Sequence, residues 1–235
     1  DTKTSNKIVK ALTLLPKAPQ FQKYQKYQAA QEPIRMYCTR EGKTRLPFQF
    51  ACLYFKKRFN QDKIFGKIYE DPNGKFTGKL LDRQKEPFKE SISLIKKHNT
   101  VTIALYPGFG KTFMGVMLAW YLNKKVCVLV HRDNVGKQWV KSFKQYFSEL
   151  TDGDIWFVDN KVKENAKIIV SMDGRTDKIP ESLRDDIGTL IIDEAHCFCA
   201  PSKVKPLLAF SPKYIIAETA TPKKDNGLET VIQSI

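Results

Sequence analysis

Tyr106-Pro107-Gly108-Phe109-Gly110-Lys111-Thr112 brings together the groups that can hold a polyphosphate. Gly108 and Gly110 have no Cβ, so the backbone can turn sharply and aim successive N–H groups at an anion. Lys111 adds a charge on a flexible stem, able to reach phosphate oxygens, and Thr112 adds a hydroxyl able to ligate a divalent cation. About eighty residues later, Asp193 and Glu194 place two adjacent carboxylates behind an apolar run. Asp193 is suited to the shell of a cation, and Glu194 to orienting and deprotonating a water. This is the equipment of phosphoryl transfer to water.

These side chains need elements to carry them. Val101 to Leu105 is an apolar, β-branched strand that runs into the two-glycine turn, and Phe113 to Leu122 is an apolar run of helical length. A helix opening near Lys111 adds roughly half a positive charge at its N-terminus. The full pattern G-x-x-x-x-G-K-[ST] would place Gly at position 105, where this chain has Leu105. By itself the loop therefore also fits an ordinary strand–turn–helix. Thr189 to Ile192 reads as the strand ahead of the acidic pair, which by itself could be a solvated turn. Open parallel sheets bind ligands at the carboxyl ends of their strands, and the two motifs in this order fit one such site.

The chain has 235 residues, 42% of them hydrophobic and 11% aromatic, enough to bury a core. No run approaches the eighteen or so apolar residues of a membrane span, so no membrane partner is expected. The N-terminus lacks the apolar stretch of a signal peptide. Five cysteines, an odd number, fit a reducing intracellular compartment better than a disulfide framework. The cluster His196, Cys197, Cys199 is tighter than usual zinc spacing and has no second pair. Net charge is +15, and residues 1–80 hold 17 Lys+Arg against 6 Asp+Glu. A basic excess in the first third points to a polyanionic partner, with solubility alone as the bland alternative.

In chain order, residues 1–32 mix Lys, Gln and aromatics and contain the near-repeat Lys23 to Gln28. Ile34 to Tyr37 reads as a strand, followed by a turn at Gly42 and an amphipathic helix from Leu46 towards Phe59. Asp71-Pro72-Asn73-Gly74 predicts a β-hairpin between Ile64–Glu70 and Lys75–Leu81. A small basic α+β accessory domain over residues 1–79 is expected, either contacting nucleic acid or capping the domain that follows. A helix is expected from Lys85 to His98, with apolar Phe88, Ile92 and Ile95 at helical spacing. Val126 to Val130 is a buried strand of the parallel kind, followed by a helix to Leu150 that Asp133 or Asn134 could cap. Trp139 reads as core. Strands are expected at Asp154–Asp159, Ala166–Val170 and Tyr214–Ala217, with a short helix or loop over Pro206–Phe210.

Asp193-Glu194-Ala195-His196 is similar to the DEAH signature box of superfamily 2 helicases, and residues 81–222 resemble their first RecA-like domain. The resemblance implies an α/β fold: a P-loop (RecA-like) parallel sheet with helices on both faces, over residues 80–235. It implies ATP and Mg²⁺ as cofactors, with ATP held by Gln84 and by Leu105, Tyr106, Pro107, Gly108, Phe109, Gly110, Lys111 and Thr112. Gln84 would read the adenine edge, Thr112 and Asp193 would hold the metal, and Lys111, Asp193 and Glu194 would be catalytic. Thr219-Ala220-Thr221 matches the family's Ser/Thr-Ala-Thr motif, so that Thr219, Thr221 and His196 would couple the nucleotide to nucleic acid. Val135, Gln138 and Trp139 match a backbone-contacting motif in which His131 and Arg132 replace the usual Pro and Thr. Gly174 and Arg175 match the end of another. Nucleic-acid contacts are thus implied for Arg132, Lys137, Ser171 and Arg175.

The basic first third, the Leu46-Pro47-Phe48 segment and Gly78-Lys79-Leu80 resemble transcript-release-type DNA helicases of large cytoplasmic DNA viruses. That resemblance implies DNA rather than RNA, transcription or replication machinery as partners, and host cytoplasm or virion as location. The resemblance implies a second RecA-like domain with an arginine finger, expected to lie outside these 235 residues, and such a finger is worth roughly 10³–10⁵ in rate. The chain alone is therefore expected to bind ATP weakly and to hydrolyse it barely. A nucleic-acid-binding module with a vestigial nucleotide site is the alternative. A nucleotide kinase would leave Thr219-Ala220-Thr221 and the basic first third without a role.

Overall fold

The computed structural model describes residues 2–15, 32–40, 43–57, 63–71, 75–159, 161–198, 200 and 203–221. The near-repeat at 23–28 and the turn residues Gly42, Pro72, Asn73 and Gly74 lie outside them. The chain forms two compact units. One comprises Asp1–Phe59, Ala195–Ala209 and Thr221–Ile235, and the other Asn60–Glu194 and Phe210–Ala220.

The first unit is built from short pieces: helix α1 (Thr2–Ala11), strands β1 (Thr13–Leu14), β2 (Ile34–Arg35), β3 (Cys38–Arg40) and β4 (Lys43–Arg45), and helix α2 (Phe48–Tyr54). Strands β1 and β2 pair antiparallel, as do β3 and β4. Leu12, Ile34 and Met36 are buried. Helix α2 buries none of its residues, stops well before the expected Phe59, and stacks Phe50 on Tyr54 with centroids 5.6 Å apart. Glu32, Arg35, Tyr37, Cys38, Val204 and Lys205 line a cavity of about 540 Å³ in this unit.

The second unit is the expected RecA-like α/β domain. Its elements are α3 (Asp82–His98), β5 (Thr100–Ala104), α4 (Lys111–Leu122), β6 (Val126–Val130), α5 (Asp133–Tyr146), β7 (Ile155–Phe157), β8 (Ile168–Met172), α6 (Glu181–Asp186), β9 (Thr189–Ile192) and β10 (Tyr214–Thr219). The six strands form one sheet, ordered β5-β10-β9-β6-β8-β7, and every pairing is parallel. Strands buried on both faces read as continuous apolar runs, which is why Val126–Val130 and Leu190–Ile192 show no alternation. Helix α4 is apolar nearly all round and buries Met114, Gly115, Val116, Leu118 and Ala119. Among the described residues no helix is long and apolar enough to cross a membrane.

The expected hairpin is not formed. Among the described residues, neither 63–71 nor 77–81 is a strand, and Phe76 instead bridges to Phe147 at the end of α5. The Thr77 N–H donates to the Tyr146 carbonyl at 3.0 Å, and the Phe76 ring stacks on Trp120 and tilts against Phe113 and Tyr146. The other flank is fixed by Asn123, whose amide accepts from the Tyr69 N–H and donates to the Tyr69 carbonyl, both at 2.9 Å. Both flanks thus satisfy their backbone on the helices of the sheet unit, where they also bury aromatic surface. The segment 63–71, expected in the accessory domain, accordingly belongs to the sheet unit.

Asn123 also ends α4 in the left-handed region, φ +44°. Asn123→Ala should destabilise the unit by about 2–3 kcal/mol, from two lost hydrogen bonds and a penalised backbone, and Asn123→Gly by less. Urea denaturation of the two variants checks the ranking.

Candidate nucleotide site

The phosphate loop leaves β5 after Ala104 and enters α4 at Lys111. Gly108 and Gly110 both lie at positive φ, +80° and +99°, the backbone the sequence requires of them. A Cβ at Gly108 would meet nothing within 4 Å, so the outer side of the loop is open. The first helical bond runs from the Met114 N–H to the Gly110 carbonyl at 3.1 Å, leaving the preceding N–H groups at the open helix end. The Lys111 ammonium donates to the Leu105 carbonyl at 3.2 Å, so the lysine folds back across the loop it follows.

Helix α3 holds this loop from behind. Gln84, 3% exposed, accepts from the Leu81 N–H at 2.9 Å and donates from Nε2 to the Phe109 carbonyl at 2.9 Å. The amide expected to read adenine is therefore engaged at both ends, on its own helix start and on the loop. A Cβ at Gly110 would stand 2.5 Å from Gln84 Nε2, so the glycine serves this contact as well as the turn. Arg83 donates to the Gly108 carbonyl at 3.3 Å and lies over the Phe109 ring. No motif in the sequence marks Arg83.

The acidic pair follows β9, which is separated from β5 by β10 alone. Glu194 sits at φ +47°, a strained conformation for a residue with a Cβ, and turns the chain sharply out of the sheet. Its Oε1 lies 3.8 Å from the Lys111 Nζ. The loop lysine and the acidic pair therefore share one end of the sheet, as the sequence predicts. Asp193, 6% exposed, accepts from the Trp139 indole N–H at 2.8 Å. Trp139 is thus core, as expected, and also orients the carboxylate from α5. Burial holds the Asp193 carboxyl above its usual pKa range and the neighbouring Glu194 adds to this, against the Trp139 and Glu194 N–H groups and Lys111.

A third carboxyl, Glu218 on β10, is fully buried among them. Burial raises its pKa well above the ordinary value, Asp193 and Glu194 push it further, and Lys111 opposes them. No sequence motif marks it, although a Glu directly after the run Ile215-Ile216-Ala217, within one strand, is a visible signal. Three carboxyls against one ammonium would carry a net charge of −2 if all were ionised. The cluster lacks positive charge and offers carboxylate oxygens, the donors a hard divalent cation takes, although among the described residues no three His, Cys, Asp or Glu side chains are grouped to hold a metal by themselves.

The residues expected to touch nucleic acid divide. Arg132 is exposed directly after β6, and the exposed Lys137 pairs with Asp133 at 2.7 Å one turn into α5. Asp133 therefore occupies the first helical position, and the helix has no side-chain cap, contrary to expectation. Ser171 is 0% exposed on β8, and its hydroxyl donates to the Met172 carbonyl at 3.0 Å. Arg175 donates to the Val158 carbonyl at 3.1 Å, tying the 3₁₀ turn Asp173–Lys178 to the end of β7. Thr219 is buried at the end of β10, Thr221 is exposed, and His196 lies half-buried in the 3₁₀ turn Ala195–Phe198.

Because the buried Glu218 holds its proton more tightly folded than unfolded, folding favours its neutral form. Stability should be full below the unfolded carboxyl pKa of about 4 and should fall as pH rises towards the folded value. Glu218→Gln should flatten that decline and leave the protein more stable at neutral pH. Urea midpoints across the acid-to-neutral range decide the matter, and parallel profiles would contradict it.

The chain is 30% identical over 194 residues to the putative helicase 161L of Invertebrate iridescent virus 6, covering 79% of this chain and 42% of that protein. It spans less than half the length of the curated relatives it matches. Among solved structures it is similar to the UvsW helicase from bacteriophage T4, with TM-score 0.57, 16% identity, and coverage of 98% and 91%. It is also similar to a Sulfolobus solfataricus SWI2/SNF2 ATPase core in complex with dsDNA, with TM-score 0.55, 21% identity, and coverage of 68% and 37%. Residues 77–224 match the family described as type III restriction enzyme, res subunit. The chain belongs to that family and carries a superfamily 2 RecA-like helicase domain.

Proposed function

We propose that this chain is the N-terminal part of an ATP-dependent superfamily 2 helicase or translocase acting on DNA. The observation that carries the reading is the placement of Lys111 within 3.8 Å of Glu194, beside the Trp139-oriented Asp193, at one end of a parallel sheet. Lys111 exchanges the Leu105 carbonyl for phosphate oxygens, while the open N–H groups of the loop take the rest of the phosphate charge. Asp193 and Thr112 would hold Mg²⁺, whose charge when bound would offset that of the phosphates. Glu194 takes a proton from a water whose oxygen bonds to the γ-phosphorus as the bond to the β-bridging oxygen breaks, releasing ADP. Gln84 reaches adenine with the hydrogen and lone pair that its two protein contacts leave over.

Nucleic acid fits the remaining features. Arg132 and Lys137 follow β6 at the same sheet end and supply phosphate contacts. Helix α2 presents Leu53, 78% exposed, with Tyr54 and Phe55, directly ahead of Lys56 and Lys57. Exposed rings beside basic residues suit stacking on bases and pairing with phosphates. Residues 1–59, the part of the expected accessory region that lies outside the sheet unit, act in this reading as the nucleic-acid-contacting region. Thr219, Thr221 and His196 couple the two ligands. DNA is supported by the solved neighbour in complex with dsDNA, and a viral setting by the iridescent-virus relative. The finer placement, a DEAH-box motor of the transcript-release type working in host cytoplasm or virion with transcription machinery, rests on the Asp193–His196 box and the basic first third.

A fluorescent ATP analogue titrated with Mg²⁺ should bind the wild-type chain. Lys111→Ala should weaken binding by roughly two orders of magnitude, and Glu194→Gln should leave it intact while removing hydrolysis in the longer protein. Duplex DNA should bind with an affinity that falls steeply with salt, and Arg132→Ala should flatten the salt slope. DNA binding that ATP, Lys111→Ala and Glu194→Gln all leave unchanged would replace the motor with a binding module.

A further inference from the structure

Strand β10 is a central strand of apolar residues with one carboxyl inside it. Glu218 pairs in register with Ile103, on the strand that feeds the phosphate loop. Its side chain is directed at α4: a Cβ on Gly115 would overlap the Glu218 Oε1 and stand 2.7 Å from the Trp139 indole. Gly115 lies one helical turn after Lys111, so the carboxyl occupies the α4 face that carries the loop lysine. The missing side chain of Gly115 is what makes room for it.

Neither oxygen of Glu218 has a hydrogen-bond partner among the described residues. An unpartnered buried carboxyl is expensive, and valine or leucine would satisfy a strand of this composition at no such cost. Glu218 therefore does not hold the fold together. The groups that act on it most strongly are Asp193, Lys111 and Glu194, the three ionisable residues of the nucleotide site. Orphaned buried polar groups beside a site call for a ligand, an ion or its water as the missing partner.

We infer that Glu218 is a third carboxylate of the divalent-cation site, a positioning residue that accepts hydrogen bonds from the water shell of the nucleotide-bound cation behind Asp193. The inference rests on the nucleotide-site reading given above and deepens it. Mg²⁺ dehydrates reluctantly and keeps several waters while bound through one or two carboxylates and phosphates. Loss of a group that orients such a shell typically costs about 10- to 100-fold in metal affinity. A cation supplies the positive charge that one lysine cannot, so the carboxyl that costs stability in the cation-free protein becomes favourable in the loaded one.

The two states predict effects of opposite sign. Glu218→Gln and Glu218→Leu should both unfold at a higher temperature than wild type in EDTA. With an ATP analogue present, Mn²⁺ followed by the electron paramagnetic resonance of the free ion should bind both variants roughly 10- to 100-fold more weakly than wild type. Mn²⁺ affinities within about twofold of a wild type that binds Mn²⁺ and nucleotide would overturn the role of Glu218 and leave the site reading intact. Lower unfolding temperatures for both variants in EDTA would assign Glu218 to the fold and overturn the inference. A wild-type chain that takes up neither Mn²⁺ nor nucleotide would sink both readings together.

Discussion

One ammonium faces three carboxyls at the carboxyl ends of adjacent strands. Lys111 lies 3.8 Å from Glu194, opposes the burial of Asp193, and is the one group that lowers the pKa of Glu218. The sheet order β5-β10-β9 forces this company, since the loop after β5 and the acidic pair after β9 flank the strand that carries Glu218. In a dry, low-dielectric setting like charges cannot be left unbalanced at small cost. The cluster is therefore poised for a cationic ligand, and its strain is concentrated where chemistry would occur. The left-handed Glu194 belongs to the same pattern, backbone strain stored beside reactive groups.

Rigid elements hold the site on three sides. Trp139 fixes Asp193 from α5, Gln84 and Arg83 fix the loop carbonyls from α3, and the buried face of α4 fixes Lys111. The loop is open outward at Tyr106 to Gly108, where a Cβ on the glycine meets nothing and the tyrosine ring is exposed. A loop held from behind and open in front presents its N–H groups without first having to order them, which lowers the cost of taking up a phosphate.

The α-helical ends do more than terminate elements. Asn123 caps α4 and anchors the chain at Tyr69, while Phe147 ends α5 and bridges to Phe76. These contacts draw residues 63–71 and 75–77 onto the sheet unit.

The sequence alone determined the loop, the acidic pair, the parallel strands and their order along the chain, because each depends on local rules. Two glycines without Cβ permit positive φ, and short apolar runs rich in β-branched residues, such as Val126–Val130, suit strands buried on both faces. Local rules also led to a false hairpin, since the Asp71–Gly74 turn signal cannot reveal that Phe76 and Tyr69 find better partners on α4 and α5. The burial of Ser171 is likewise set by its neighbours, since β8 lies between β6 and β7. What only the tertiary structure decided is which side chains share a volume. Strand order brings Glu218, Lys111, Asp193 and Trp139 together across more than one hundred residues of chain, and no local pattern encodes a contact of that range.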